Sequence, residues 1–340
     1  MKLRYYVLRR LLLSVLVVLG VCIITFVLAR IVPSNPAAMW VGSHPTAEQI
    51  ARARVELGLD KPLYVQFYIY MTHLLQGDFG VSIRTHDKVL HDIATFLPAS
   101  LELILAGMIL SLIIGIPSGV VSALKRDRPA DHATRLSSVI GVSIFTPWLG
   151  MMLQLLFFRW LGILPVGDRI GTEISMMHPV TVVTGFYSID SLLSGNLIAF
   201  QSVMLHLILP AVTLAAYPIG LITRMTRSTM VDVLDEDYIR TAKSYGLSER
   251  VVAYKYALKN AIGPTITVLA LTFAYSLVET FLVETVFNWP GLGRYAALSI
   301  ISLDYPAVMG IGIVIALVYV LLNLLVDVAQ AYLDPRIRLG

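Results

Sequence analysis

Residues 228–264 read STMVDVLDEDYIRTAKSYGLSERVVAYKYALKNAIGP, a polar stretch set between two long apolar runs. This many charges cannot lie in hydrocarbon, so the segment belongs in water while its flanks cross a bilayer. Val231, Leu234, Tyr238, Ala242 and Tyr245 recur every three or four residues, which puts them on one face of a helix, with Asp235, Glu236, Arg240 and Lys243 largely around the rest. Gly246 suits the left-handed end of that helix, and Ser248 with Glu249 reads as the cap and first turn of a second one reaching Gly263-Pro264. The expectation is helix, glycine bend, helix, presented to solvent between two membrane spans. A plain solvated connector is the competing reading.

Composition agrees with a membrane setting: 57% of the 340 residues are hydrophobic, 14% are charged, and the mean hydropathy is +0.76. Cys22, the single cysteine, lies in an apolar run, so neither a disulfide framework nor a cysteine metal site can form within the chain. A membrane helix needs about 20 apolar residues, and six runs supply them: Leu11 to Val32, Ser100 to Leu124, Ser137 to Leu161, Val203 to Thr226, Pro264 to Phe287 and Pro306 to Val328. The first follows Lys2, Arg4, Arg9 and Arg10 as a secretory signal would, but it is too long and lacks a small-x-small closure, so an uncleaved anchor is expected. The fold class is thus an all-α membrane protein. An anchor span and long outer loop occupy 1–98, and a five-span core occupies 99–340.

Lys and Arg set the orientation, because they are retained on the cytoplasmic side. Seventeen flank the N-terminus, the loop after the second span, the 228–264 loop and the tail with Arg336 and Arg338, against seven in the opposite loops. Both termini and the polar loop are therefore expected in the cytoplasm. In the first outer loop, Thr46 and Gln49 form a capping box for a helix reaching Leu57 and ended by Gly58. A second helix from Lys61-Pro62 presents Tyr64, Phe67, Tyr68 and Met71, either to roof the bundle or to touch a ligand. The second outer loop, 161–196, reads as a folded loop with one short helix.

Polar groups inside the spans are the candidate translocation path. Gln154 must bond across helices or face water. An ionised carboxylate at mid-bilayer costs about 2.5–3.5 kcal/mol, so Glu279 is expected to face the bundle interior or a watery route, with Glu284 nearer the outer rim. Glu102, in the first turn of its span, is expected to snorkel to the interface. Pro210 and Pro218 can kink the fourth span, and Trp289 before Pro290-Gly291 reads as an interface anchor at a chain reversal. His178 has no partner at ligand spacing, so neither a metal site nor any cofactor is expected.

The wording of several segments is specific. DYIRTAKSYGLSER (237–250), followed by YALKNAIGP (256–264), resembles the EAA loop of ABC importer permeases in the form used by dipeptide and oligopeptide subunits. Arg240, Thr241 and Ala242 stand where the general pattern has Glu-Ala-Ala, so the generic glutamate is absent, as in the peptide variant. ELGLDKPLYVQF (56–67), GDFGVSIRT (77–85), TGFYSIDSLLSGN (184–196) and VETVFNWPGLGRYA (283–296) resemble the same group, which includes nickel permeases. The resemblance implies a six-span permease of the type I importer kind in the plasma membrane. It also implies a second homologous permease subunit, two cytoplasmic ATPase subunits and an extracytoplasmic substrate-binding protein as partners, with lipid around the spans. Peptides would be the cargo, with nickel chelates or oligosaccharides as the alternatives. The residues it assigns to ATPase coupling are Leu234, Asp237, Tyr238, Arg240, Thr241, Ala242 and Gly246.

Absent motifs fit that division of labour. No G-x-x-x-x-G-K-[ST], H-E-x-x-H or G-x-S-x-G occurs, so the chain is not expected to be an enzyme, and ATP hydrolysis falls to its partners. The modest net charge of +4 is explained by loop orientation and not by nucleic acid. An ion-coupled secondary carrier using Glu279 is the alternative from another class, although no inverted repeat is visible. A structural membrane scaffold is a third.

Overall fold

The computed structural model describes residues 3–31, 37, 41, 45–56 and 58–333, with side-chain surroundings over 12–28, 37, 41, 45–55 and 58–324. Lys2, Leu57, Arg336 and Arg338 lie outside the described residues, as do the side chains of Arg4, Arg9 and Arg10. Among the described residues the architecture is helical, with an isolated bridge between Val81 and Lys88 as the β pairing. Helix α1 spans Leu3–Ile31, α2 Ala47–Glu56 and α3 Leu63–Leu75; α4 spans Val89–Leu124, α5 Pro129–Ser143 and α6 Thr146–Trp160. Then come α7 (Thr172–Met177), α8 (Tyr187–Leu193), α9 (Leu197–Leu234), α10 (Asp237–Ser244), α11 (Glu249–Val286), α12 (Leu292–Ile301) and α13 (Tyr305–Leu333).

Four of these, α4, α9, α11 and the Tyr305–Leu324 part of α13, are long and apolar enough to cross a membrane, and Leu12–Leu28 of α1 is a further apolar helix. The expected third span is broken: α5 and α6 are bent by 106° across Ile144-Phe145. Pro147 lies in the first turn of α6, where its missing N–H costs nothing but where it could not continue a helix from α5, which favours a break just before it. Several helices outrun their apolar runs. At 38 residues α9 is about 57 Å long against a hydrocarbon core of about 30 Å, so both ends project. Helix α4 begins at Val89 and carries Pro98 within it, so the boundary read at 98 falls inside a helix.

Close packing of α4 on α9 forms the centre. Gly107, Ser111, Gly115 and Gly119 repeat every four residues along α4, a small-residue seam that lets backbones approach. A Cβ on Gly115 would stand 2.8 Å from Ile222 Cγ2, and one on Gly119 would stand 2.6 Å from Thr226 Cβ and 2.8 Å from the Thr223 carbonyl oxygen. Gly220 of α9 meets α5 as tightly, its added Cβ falling 2.6 Å from the Ser138 carbonyl oxygen.

At the basic end, Asp131 of α5 is fully buried and accepts a two-pronged bond from Arg227 of α9, at 2.6 and 2.7 Å, and a 2.6 Å bond from the Ser122 hydroxyl of α4. One carboxylate thus ties three helices. The opposite end is closed by loops. Glu102 lies buried and not at the interface: Arg169 of the second outer loop reaches it at 2.5 and 2.9 Å, Ser188 donates to it twice, and the guanidinium lies 3.9 Å from the centre of the Tyr187 ring. Four hydrogen bonds explain why this carboxylate stays in and does not snorkel. The loop holds two short helices, α7 and α8, where one was expected. Asp190 of α8 organises its turn: burial raises the carboxyl pKa, but the Thr184 hydroxyl and the backbone N–H groups of Thr184, Val183 and Gly185 outweigh it and hold the group below the usual carboxylate range.

The first outer loop follows its sequence. Thr46 N–H donates to Gln49 Oε1 at 2.9 Å and Gln49 N–H to Thr46 Oγ1 at 3.3 Å, the capping box at the head of α2, and Gly58 has φ +63°. On α3, Phe67 packs edge-on to Phe26 of α1 at 5.2 Å, while Tyr64 and Tyr68 stay exposed.

Candidate functional site

The segment between α9 and α11 at the basic end is built differently from the single helix read over Val231–Tyr245. Helix α9 runs on to Leu234, Asp235 closes it, Glu236 is extended at φ −71° and ψ 148°, and α10 starts afresh at Asp237. The acidic run Asp235-Glu236-Asp237 supplies the reason. Carboxylates oppose the negative end of one helix dipole and suit the positive start of the next. Asp235 also lies 3.6 Å from Arg126 of the neighbouring loop.

The inward face of α10 is correspondingly shifted. Ile239 is 0% exposed and Ala242 6%, packed on Val120 and Ala123 of α4, Met230 of α9 and Val252 and Ala253 of α11. Leu234 is half-buried on the same cluster, whereas Tyr238 is 41% exposed and Tyr245 81%. At about 100° per residue, Asp237, Thr241 and Ser244 point directly away from Ile239 and Ala242. Arg240 flanks them on one side, Tyr238 and Tyr245 on the other. Arg240 lies 3.3 Å from Asp237, and the Tyr238 hydroxyl accepts from Asn260 Nδ2 at 3.0 Å.

Gly246 holds φ +74° with open space around it, the conformation its place in the sequence predicts. Glu249 then opens α11, which passes through a π-helical turn at Val252–Ala257 and continues past Gly263-Pro264 to Val286 without a break. The second helix of the loop and the fifth span are therefore one rod. The expected boundary at Pro264 is not one, because α11 carries the proline within it.

Helix α10 is thus a short rod whose inner side is already covered by its own chain and whose outer side carries Asp237, Arg240, Thr241 and two tyrosines. Leu247, Val251 and Tyr254 add exposed apolar surface beside it. Such a surface offers shape, charge and aromatic area to a partner, with no catalytic constellation.

The three path candidates separate in space. The Gln154 amide is spent on backbone: its Nε2 donates to the Val166 carbonyl at 2.7 Å and the Val286 carbonyl at 3.2 Å, stapling α6 and the second outer loop to the end of α11. Glu284, two residues before the end of α11, is fully buried. It accepts from the Ser100 hydroxyl and, at 2.9 Å, from Arg294 N–H in the first turn of α12, and a Cβ on Gly291 would stand 2.3 Å from its Oε1. Trp289 is buried beside it and donates to the Ala99 carbonyl at 2.9 Å, so this tryptophan is a core anchor and not an interfacial one. Glu279 lies elsewhere, half-buried against Thr146 at the α5–α6 break, where the Thr146 hydroxyl donates to Oε1. Sequence reasoning missed Ile239, the Asp131–Arg227 clamp and the Glu102–Arg169 pair. Opposite charges far apart in sequence give no local signal, but the four-residue repeat of small residues on α4 was there to be read. Among the described residues no cluster of three His, Cys, Asp or Glu side chains that could hold a metal occurs.

Residues 115–339 match the profile of the binding-protein-dependent transport system inner membrane component, and residues 3–104 match that of the N-terminal part of such membrane components. The chain is 46% identical over 326 residues to a probable D,D-dipeptide transport system permease protein, DdpB, of Escherichia coli K12, covering 96% of this chain and 95% of that protein. It is 40% identical over 333 residues to the dipeptide transport system permease protein DppB of Alkalihalophilus pseudofirmus, covering 98% and 99%. It is 38% identical over 334 residues to the glutathione transport system permease protein GsiC of Salmonella choleraesuis, covering 98% of each.

Proposed function

The chain belongs to the family of binding-protein-dependent transport system inner membrane components, and we propose that it is the permease subunit that carries dipeptides through the membrane after a binding protein delivers them. It is a transport component and not an enzyme. Similarity along nearly its whole length to permeases named for dipeptides carries the substrate reading. The cargo is a short peptide in preference to a nickel chelate or an oligosaccharide, and a family defined by dependence on a binding protein gives no support to an ion-coupled carrier.

The working unit in this reading pairs the chain with a second, homologous permease, two cytoplasmic ATPases and an extracytoplasmic binding protein. The excess of basic residues in the terminal segments and the alternate loops supports a cytoplasmic placement of both termini and α10. Helix α10 is the contact with the ATPase. Leu234 and Ala242 fasten it to the permease, Asp237, Tyr238, Arg240 and Thr241 meet the partner, and Gly246 sets its angle to α11. ATP binding shifts the permease only so far as the ATPase prefers one orientation of α10 over another. Of the path candidates, Gln154 and Glu284 hold the outer cap together, which leaves Glu279 as the group available to the passage.

The test is purification of the complex with its binding protein, identification of the co-purified ligand by mass spectrometry, and uptake of that ligand into proteoliposomes with ATP inside. A short peptide that is taken up only with ATP and binding protein is the expected result. A chelated metal or a sugar in its place would refute the substrate reading.

A further inference from the structure

Glu279 lies on α11 seven residues before Val286, roughly 10 Å along the helix from its end. Its Oε1 is fixed by the Thr146 hydroxyl, at the first residue beyond the 106° break between α5 and α6. Its Oε2 is buried and has no hydrogen-bond partner. The fully buried carboxylates differ. Asp92, Glu102, Asp131, Asp190, Glu284 and Asp304 each accept bonds from named donors, and none leaves a buried oxygen unpaired. An intramembrane carboxylate oxygen without a donor is costly, and such a group calls for something that fills it.

What surrounds it narrows the filler. One turn earlier on α11, Tyr275 is half-exposed and lies with its ring centre 5.1 Å from that of Tyr217 on α9. A fixed carboxylate next to a pair of tyrosine rings is chemistry for a cation: the oxygen gives a charge-assisted hydrogen bond and the rings give quadrupole attraction. Among the described residues no Lys or Arg pairs with it, since the ion pairs formed there use other carboxylates.

We infer that Glu279 is a transient binding site for the ammonium group of a peptide in passage, with Tyr217 and Tyr275 as its aromatic flank and Thr146 as the residue that orients the carboxylate. This rests on the reading of the chain as a peptide permease. A dipeptide presents one α-ammonium, and a fixed carboxylate inside the membrane replaces the water that the ammonium loses. One weak pairing suffices, because a site that held the peptide tightly would stop its release.

The test uses the full complex in proteoliposomes with wild-type chain, Glu279→Gln and Glu279→Asp. It measures uptake of labelled L-alanyl-L-alanine and D-alanyl-D-alanine, ATP hydrolysis stimulated by loaded binding protein, and complex yield. Glu279→Gln keeps the shape and removes the charge, so uptake is expected to fall about tenfold or more while stimulated hydrolysis and assembly hold. Glu279→Asp is expected to restore part of the uptake. Unchanged uptake in Glu279→Gln overturns the inference. Loss of assembly in both variants also overturns it, because the carboxylate would then serve to join chains. A wild-type complex that hydrolyses ATP but takes up neither dipeptide defeats the peptide reading itself, a result distinguishable from the other two before any variant is compared.

Discussion

Replacing Ile239 with Ala would loosen α10 from the permease while leaving its outward face intact. Ile239 is wholly enclosed by side chains of α4, α9 and α11. The change removes three carbon atoms at about 0.8 kcal/mol each, and incomplete closure of the gap brings the loss to about 3 kcal/mol. That is roughly a 150-fold shift in the ratio of docked to undocked loop. A helix of eight residues cannot persist alone, since isolated helices shorter than about 12–15 residues are marginal in water. Undocking therefore means unfolding of α10, and amide hydrogen exchange followed by mass spectrometry reads it directly. Peptides covering 237–246 should exchange up to two orders of magnitude faster in Ile239→Ala, while those from α9 and α11 inside the membrane hold their protection. Tyr245→Ala is the contrast: it removes a side chain that is 81% exposed and should leave exchange unchanged while weakening retention of the ATPase. Unaltered exchange in Ile239→Ala, or equal acceleration in both variants, would refute the placement of the inward face.

Four further outcomes are expected. Asp131→Ala strands the Arg227 guanidinium and should cost about 3 kcal/mol or more, seen as lower thermal stability in detergent, with Asp131→Ala/Arg227→Leu recovering part of it. Gly119→Ala drives a methyl into Thr226 and the Thr223 carbonyl, so α4 and α9 must part, for a loss of about 1–3 kcal/mol in the same assay. Asp190 has a depressed carboxyl pKa, so its stabilising effect is complete above its unfolded value of about 4 and is lost as pH falls below that; protease nicking of 178–196 should rise on acidification, and Asp190→Asn should nick readily already at neutral pH. Cysteines placed at Leu75 and Met176, both exposed, should react with an impermeant thiol reagent outside intact cells while one at Tyr245 should not; the turn residue Ser82 is unsuitable, being buried on Asp304.

Apolar length and periodicity made the helical membrane class legible, and local chemistry made the capping box at Thr46 and the bend at Gly246 legible, because each depends on residues close in sequence. Breaks within long helices were harder. An apolar run from Ser137 to Leu161 gives the same hydropathy whether straight or bent by 106°, and only Pro147 hints at the difference. Pro264 shows the reverse, a proline that does not end a helix, because span packing outweighs one lost backbone bond. For α10 the spacing rule placed Ala242 inward correctly but missed Ile239 and turned the exposed Tyr238 and Tyr245 inward. Leu234 and Tyr238 lie on different helices, so the period was counted across a break that the acidic run Asp235-Glu236-Asp237 announces.

The seam of Gly107, Ser111, Gly115 and Gly119 against α9 has a mechanical consequence. Two rods joined along their length resist bending far better than either alone, since curvature would require one to slide past the other. Ile222 and Thr226 sit over Gly115 and Gly119 like teeth over notches and block that sliding. Helices α4 and α9 therefore behave as a single beam, braced near one end by Asp131 and Arg227 and near the other by Glu102 and Arg169. A push at Asp235 arrives at Asn196 as tilt and not as flexure.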